Sequence, residues 1–321
     1  MQRLRDLGEF GLIELIRRWT PKASRRVVLG PGDDGAILRP PPGHDLVVST
    51  DSLVEDVHFR FETQSARLVG RRALVANLSD LAAMGATPLA CVAALCAPGD
   101  LPVRRAEGLV RGILQEADAH ACPLVGGNLA SARETALTIT VFGSVSRGRE
   151  LRRHRLRAGD RIFLTGSLGG SALALARAER QARAIRRLPV PRLRAGRALA
   201  RMSGVGGCID VSDGLVADLG HLLEGSRLGA HLDVERVPTP RGFAAACREL
   251  EIDPLGLSLG GGEDYELLFT LRPRVSLASL PVRLGVQVSE IGRIITEPGV
   301  HGVPAVAGWR HFQESKPRDV S

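Results

Sequence analysis

Acidic and hydroxyl side chains recur in this sequence where a strand or a glycine turn is expected to end. In the stretch Val47–Phe59, a β-branched run leads into Ser49, Thr50 and Asp51, and His58 follows seven residues after Asp51. A strand that ends in Ser-Thr-Asp presents oxygen atoms from a rigid support, where hard cations and phosphates are commonly held. Asp51 could equally cap a turn, so this stretch alone leaves both interpretations open.

Four further places present carboxylates at turns, strand ends or a helix face: Asp33-Asp34, Asp80, Asp210-Ser212-Asp213 and Glu263-Asp264. Each has a simpler explanation; Asp213, for example, could be a helix N-cap. Asp80, on a helix rich in alanine and leucine, is predicted to be half buried and could bind an N–H group instead of a cation. The sequence has no cysteine and histidine cluster of zinc spacing. Oxygen-only ligation favours Mg²⁺ or Mn²⁺ over zinc or copper.

A glycine loop at residues 166–170 lies between a predicted strand over 161–165 and a predicted helix from Ser171. Such a loop could hold a phosphate on the amides of the helix N-terminus. Its spacing is not G-x-G-x-x-G, and a tight structural turn explains it equally well.

The composition is that of a globular protein large enough for two domains, with 321 residues, 44% of them hydrophobic and 24% charged. No apolar run approaches the ~20 residues that cross a bilayer. The first ten residues lack the apolar core of a signal peptide. The five cysteines form no C-x-x-C pair, which predicts reduced thiols and a cytoplasmic location.

The net charge of +8 suggests the hypothesis of a nucleic-acid partner. Nearly all of the basic residues are arginines, since Lys22 and Lys316 are the only lysines. The arginine-rich stretch 147–201 contains no tyrosine or tryptophan for base stacking, so a solvated helical face is the favoured interpretation. Neither lysine lies in the phosphate-binding loop motif G-x-x-x-x-G-K-[ST], so that motif is absent from the sequence. Any nucleotide phosphates must therefore be bound by metals, arginines and backbone amides.

Hydrophobic periodicity predicts strands and helices in alternation, an α/β or α+β layer architecture. Helices are predicted over 8–19, 66–84, 103–120 and 216–224. Strands are predicted over 36–38, 89–95, 136–145, 161–165 and 267–271, with a short buried strand before Asp51 and a strand over 123–128 that runs into a glycine turn. The arginines that crowd residues 146–160 place a domain boundary near residue 148, giving domains 1–148 and 149–321.

Seven segments, in order along nearly the whole chain, resemble the thiamine-monophosphate kinase family, a branch of the ATP-using enzymes similar to aminoimidazole ribonucleotide synthetase. They are GEFGLIELI, GPGDDGAIL, STDSLVEDVHF, NLSDLAAMGA, VGGN, CIDVSDGLVADLGHLL and GGGEDYELLFT. Selenophosphate synthetases are similar but use a reactive N-terminal Cys or selenocysteine, whereas the first cysteine here is Cys91. Hydrogenase-maturation relatives end in a C-terminal cysteine, and no cysteine follows Cys247.

The resemblance implies two α/β domains, with the N-terminal domains pairing in a homodimer and ATP lying near that interface. It implies phosphorylation of thiamine monophosphate to thiamine diphosphate by direct in-line transfer from MgATP, with several Mg²⁺ ions and no general base. The implied metal ligands are Asp34, Ser49, Thr50, Asp51, Asp80, Asp210 and Asp213. The implied ATP contacts are Gly127, Asn128, Arg153 and Ser212, and the implied contacts to thiamine phosphate are His58, Glu263 and Trp309.

One departure from the family pattern is Gly126-Gly127-Asn128-Leu129, where the family usually has Gly-Gly-Asp-Thr. Asparagine keeps a neutral oxygen for Mg²⁺ but loses a full charge, so either one metal position is weakened or the substrate has changed. One alternative is therefore another ATP-dependent kinase or synthetase of the same superfamily. A nucleotide-binding pseudoenzyme and, from the arginine content, a nucleic-acid-binding protein are the others.

Overall fold

The computed structural model describes residues 2–20, 26–31, 34–276 and 280–304. Up to residue 146 the elements are α1 (Leu4–Trp19), β1 (Val27–Leu29), β2 (Ile37–Leu38), β3 (His44–Val54), α2 (Ala66–Ala83), β4 (Thr87–Ala97), α3 (Val103–Ala119), β5 (Leu124–Ser131) and β6 (Ala136–Ser146).

Beyond residue 160 the elements are β7 (Arg161–Thr165), α4 (Gly170–Gln181), α5 (Leu193–Ala200), β8 (Val205–Asp210), α6 (Leu215–Leu223), β9 (Gly229–Leu232), a 3₁₀ turn (Val234–Arg236), α7 (Phe243–Glu249), α8 (Pro254–Gly260), β10 (Leu267–Leu271), α9 (Leu280–Leu284), β11 (Val288–Ile295) and β12 (Gly299–His301).

Two larger sheets organise these elements. The first has the strand order β3-β6-β4-β5, and the second has the order β12-β9-β11-β7-β10-β8. Neighbouring strands are antiparallel except for β4 with β5 and β12 with β9. Strands β1 and β2 form a separate antiparallel pair. The predicted α/β (α+β) class is confirmed, with mainly antiparallel pairing.

Helix α2 lies at the centre of the molecule. Leucine, valine and alanine occupy positions all around it, and a helix that is apolar on every side is expected to be buried. It packs against β3 and β6 on one side and against α3, α5 and β8 on others. Gly70 lets α3 approach closely, because a Cβ there would lie 1.9 Å from the Leu109 carbonyl oxygen. Polar residues on α2 are therefore held between the two sheets.

Two sequence predictions are wrong in detail. Strand β3 was expected to be short and buried, but it spans His44–Val54 and alternates in exposure, because it is an edge strand with one face toward α2. The glycine turn expected at the end of the 123–128 strand is absent, because Gly126 and Gly127 lie inside β5. A Cβ at Gly127 would lie 1.9 Å from the Ala93 carbonyl oxygen on β4, so glycine is needed there for strand packing.

The described part of the chain contains no helix that is both long and apolar enough to cross a bilayer. The five cysteines all lie within the described ranges and are free thiols.

Candidate active site between the two sheets

Asp80 and Asp210 form the centre of the site. Asp80 is in the last turn of α2, and Asp210 is the last residue of β8. The Ser49 hydroxyl of β3 donates to Asp80 Oδ2 at 2.5 Å, and the Ser79 hydroxyl donates to Asp210 Oδ2 at 2.6 Å. Because Ser79 and Asp80 are consecutive, these two bonds bring both acids to the place where α2 lies between the sheets. Asp80 is half buried, as predicted.

Among the residues that the structure describes, no cation is in hydrogen-bonding contact with either of these acids. The pKa of Asp80 is raised to about 7, first by burial and then by the Asp210 and Asp51 charges, while the Ser49 hydrogen bond opposes the increase. Burial likewise raises the pKa of Asp210 to about 6, against the effect of the Ser79 hydrogen bond. The Arg153 charge, from the exposed segment before β7, lowers both pKa values. Acids that are costly to ionise side by side form an oxygen site suited to a divalent cation.

Protein atoms alone do not complete a metal site. Within the described ranges, no group of three or more His, Cys, Asp or Glu side chains could hold a metal ion. Mg²⁺ commonly keeps several water ligands and binds through one or two carboxylates together with substrate phosphates. An open, oxygen-only pair of carboxylates therefore fits Mg²⁺ that arrives with a nucleotide better than it fits a closed structural metal.

The alternation of side chains along β3 separates the predicted ligands Ser49, Thr50 and Asp51. Ser49 and Asp51 share the face toward α2, since successive side chains point to opposite faces. The Thr50 hydroxyl instead donates to the Ile139 carbonyl at 3.1 Å and meets the Thr140 hydroxyl at 2.9 Å. Any contribution of Thr50 to a metal site must therefore come from its backbone oxygen.

Asn128 lies far from β3 in the same sheet. Strands β6 and β4 separate β5 from β3, which corresponds to about 14 Å at ~4.8 Å per strand. The register aligns Asn128 with Ala94, Thr138 and Ser52, on the face of the sheet that also carries the Thr50 hydroxyl. The departure at Asn128 is thus outside the Asp80–Asp210 centre of this chain.

The loop between β8 and α6 is organised by a residue that the sequence analysis missed. The Asp218 carboxylate, one turn into α6, accepts hydrogen bonds from the backbone N–H groups of Ser212, Asp213 and Gly214 at 2.9–3.1 Å. Burial raises the pKa of Asp218 to about 7. The N-cap of α6 is Gly214, so Asp213 is not the cap, and its half-exposed side chain lies three residues after Asp210 in the loop that Asp218 holds. The signal that could have identified Asp218 is its position four residues after Gly214.

The segment Glu263–Glu266 contains acids with different roles. Asp264 accepts hydrogen bonds from the N–H groups of Gly169 at 2.5 Å and Ser171 at 3.0 Å, at the start of α4. Those amides are thereby satisfied by the protein itself, so the glycine loop at 166–170 is a structural turn and not an open phosphate cradle. Glu266 is paired with Arg192 at 2.5–2.6 Å.

Glu263 points the other way, toward α2. Both of its carboxylate oxygens accept from Arg72 Nη2, at 2.6 and 2.8 Å, and its side chain is 40% exposed. The neighbouring Tyr265 is buried, and its pKa lies well above the ordinary value because of burial and the nearby charges of Glu263, Asp51 and Asp210. Glu263 therefore lies at the edge of the acidic site.

His58 lies just beyond the end of β3. Its Nδ1 accepts a hydrogen bond from the Val54 N–H at 3.1 Å, so the neutral ring carries its proton on Nε2. Arg72 donates to the backbone oxygen of His58 at 3.4–3.5 Å. Of the remaining predicted residues, Asp34 is exposed in the turn before β2, and Trp309 lies outside the described residues.

The whole arrangement defines a class of protein. The AIR synthase related protein family matches the chain in two parts, its N-terminal domain at residues 32–145 and its C-terminal domain at residues 157–303. Thiamine-monophosphate kinase of Synechococcus elongatus is 36% identical, covering 92% of this chain and 91% of the relative.

Solved structures agree. Thiamine-monophosphate kinase from Stenotrophomonas maltophilia K279a is 38% identical with a TM-score of 0.78, covering 92% of this chain and 96% of that chain. AaThiL complexed with AMPPCP and TMP is 30% identical with a TM-score of 0.73, covering 97% and 99%. The chain therefore belongs to the AIR synthase related family and, within it, to the thiamine-monophosphate kinases, which confirms the resemblance. It is an ATP-binding enzyme of the kinase class.

Proposed function

We propose that this chain transfers the terminal phosphoryl group of ATP to thiamine monophosphate, giving thiamine diphosphate and ADP. The observation that carries the proposal is the pair of acids Asp80 and Asp210, held by serine hydroxyls between the two sheets with raised pKa values and with no cation bonded to them from the described part of the chain. It is supported by the likeness to AaThiL, which was solved with TMP and with AMPPCP, an ATP analogue.

The chemistry needs little from a general base. The second pKa of a phosphate monoester is about 6, so the acceptor is largely dianionic at pH 7 and already nucleophilic. The difficulty is charge repulsion: two dianions ~4 Å apart have four unit-charge pairs at about 4 kcal/mol each, or roughly 16 kcal/mol, at an effective dielectric constant of 20. Bound Mg²⁺ ions would offset repulsion of that size and stabilise the charge of the transferring group.

The predicted site residues have two proposed roles, to bind metal ions and ATP and to bind and orient the acceptor. In the proposal, Asp80, Asp210, Ser49 and Asp51 hold the metal ions, with Asp34, Asp213 and the Thr50 backbone as further ligands. Gly127, Asn128, Arg153 and Ser212 contact ATP. His58, Glu263 and Trp309 contact thiamine monophosphate, and His58 orients the acceptor without taking its proton. Residues 1–148 form the ATP- and Mg-binding domain, and residues 149–321 form the second domain.

The assembly and location are part of the same proposal. Strand β3 is an edge strand, and its face away from α2 exposes Leu46 by 49% and Val48 by 54%. A second copy pairing through the N-terminal sheet would cover these apolar side chains and remove the edge, which supports a homodimer. The five free thiols support a reducing, cytoplasmic location.

The test is ADP release in the presence of ATP and Mg²⁺, measured with and without thiamine monophosphate. We expect stimulation by thiamine monophosphate, formation of thiamine diphosphate in equal amount, and no turnover when EDTA removes the metal. Turnover of ATP that is unchanged by thiamine monophosphate would contradict the proposal. In that case, a panel of other phosphate-bearing acceptors would test the alternative of a related kinase with another substrate.

A further inference from the structure

Arg72 is a buried cation that contacts both of the described residues assigned to the acceptor. It lies in the first half of α2 and is 7% exposed. Its Nη2 donates to both carboxylate oxygens of Glu263, and Nη1 and Nη2 both approach the backbone oxygen of His58 at 3.4–3.5 Å. Nη1 also donates to the side-chain oxygen of Gln64. One guanidinium thus joins the loop after β3 to Glu263, which is 191 residues from Arg72 in sequence.

The backbone at Glu263 needs this support. Its φ of +62° lies in the left-handed region, which costs a non-glycine residue free energy and persists only when the surroundings enforce it. The enforcing contacts are the Glu263 N–H to the Ser212 oxygen at 2.8 Å, the Ser171 hydroxyl to the Glu263 oxygen at 2.8 Å, and the Arg72 pair. The carboxylate is therefore held at one place on the rim of the site, with 40% of the side chain still open.

The preceding residue, Arg71, forms a purely structural ion pair. Arg71 Nε donates to Glu116 on α3 at 2.6 Å, and the Glu116 side chain is only 5% exposed. That pair joins α2 to α3 on another side of the helix and contacts neither His58 nor Glu263. The two arginines are thus adjacent, each paired with a glutamate, and different in what the glutamate faces.

We propose that Arg72 is a positioning residue for the acceptor. Resting on the proposed function, it fixes the Glu263 carboxylate and the His58 loop relative to each other. Together they recognise the cationic, amine-bearing ring system of thiamine monophosphate, while the phosphate faces the acidic centre. Arg72 does not touch the reacting atoms, because its guanidinium is occupied by Glu263, Gln64 and the His58 backbone oxygen. Its loss changes recognition of the acceptor and leaves the binding of ATP in place.

The experiment compares Arg72→Gln with Arg71→Gln in the full-length enzyme. Each variant removes one guanidinium from α2 and leaves one glutamate without it. For Arg72→Gln we expect the KM for thiamine monophosphate to rise on the order of tenfold, the range of a lost charge-assisted contact, with the KM for ATP changed less than about threefold. For Arg71→Gln we expect both KM values within about threefold of wild type. Arg72→Lys keeps a positive charge near Glu263 but loses the planar guanidinium, so its KM for thiamine monophosphate should lie between those of wild type and Arg72→Gln.

The outcomes separate the two proposals. If wild type is stimulated by thiamine monophosphate but Arg72→Gln and Arg71→Gln have the same KM for it, Arg72 has no positioning role, and the proposed function stands. Equal rises in both KM values of Arg72→Gln would also overturn the inference, because the effect would then be general. If wild type shows no turnover of thiamine monophosphate and calorimetry detects no binding of it, the proposed function and the inference fail together.

Discussion

Two pairs of acids in this molecule are similar in type but differ in the groups that bond to them. Asp264 and Glu266 are bonded to groups that the chain supplies: the α4 amides and Arg187 at 3.3 Å for Asp264, and Arg192 at 2.5–2.6 Å for Glu266. Asp80 and Asp210 are bonded to serine hydroxyls, and Arg153 acts on them only from an exposed position.

The difference teaches how to distinguish a structural acid from a binding one. Where the protein supplies the opposing charge or a set of N–H donors to a carboxylate that is almost fully buried, as in Asp264 and Glu266, the carboxylate stabilises the fold and has little left for a ligand. Where it supplies hydroxyls only, the ionised acids repel each other, and the site remains suited to an added cation. Position in a motif does not decide this, since the consecutive Glu263 and Asp264 are both paired, but the Glu263 side chain remains 40% exposed and Asp264 is buried.

The largest expected effect is that of Asp80→Asn. We expect kcat/KM to fall roughly a thousandfold, about 4 kcal/mol, because a charge that would hold Mg²⁺ is lost. In the metal-free protein the same change should raise Tm at pH 8, because it removes a buried charge beside Asp210. Kinetics and thermal denaturation with EDTA measure the two effects. A lower metal-free Tm would show that Asp80 is structural, like Glu266.

Glu266→Gln should have the opposite effect to Asp80→Asn, because it should lower stability and leave activity nearly unchanged. Breaking the pair with Arg192 leaves a half-buried guanidinium without its carboxylate, and we expect a loss on the order of 3 kcal/mol in the free energy of unfolding. The activity per folded molecule should stay within a few-fold of wild type. Urea denaturation and active-enzyme titration check this. A thousandfold loss of activity at unchanged stability would place Glu266 in the site instead.

The pH dependence of the metal-free protein sharpens the comparison further. The pKa values of Asp80 and Asp210 rise from 3.8 to about 7 and about 6, so the folded state binds protons more tightly than the unfolded state. Their contribution to stability is therefore fully present below pH 3.8 and is lost as pH rises through 6 to 7. We expect the gain in Tm on adding Mg²⁺ to be larger at pH 8 than at pH 5. The reverse order would remove these two acids as the origin of the metal effect.

Thr50→Val should have the smallest effect. Because the Thr50 hydroxyl bonds to Ile139 and Thr140 on the face away from α2, its loss should cost about 1 kcal/mol of stability and change kcat/KM less than threefold. Ser49→Ala, its neighbour on the inner face, is the matched comparison and should lower activity more. Equal losses from both variants would mean that the two hydroxyls serve the same site.

Much of the fold was accessible from local patterns. The ranges of β7 and β10 agree with prediction to the residue, and α2 and α3 to within one, because their hydrophobic periods are strong. The glycines of β5 misled the prediction, because Gly126-Gly127 is also a turn signal and only the neighbouring Ala93 backbone reveals why glycine is needed there. Arg72 and Ser79 were missed because their partners are distant in sequence, and Asp218 was missed because it lies inside a helix.

By itself, the sequence determined the family, the absence of a lysine phosphate loop and the recurrence of acidic and hydroxyl side chains without a zinc-type cysteine and histidine cluster, because these depend on residue types and on motif order. Tertiary structure alone decided which of the described acids are bonded to an arginine or to backbone amides and which are bonded to hydroxyls. Asp264 and Asp80 are both aspartates in recognisable motifs, and one is neutralised by amides and an arginine that approach only in the folded chain. A carboxylate acquires its role from the charges and donors around it, and those are brought together by packing across the two sheets.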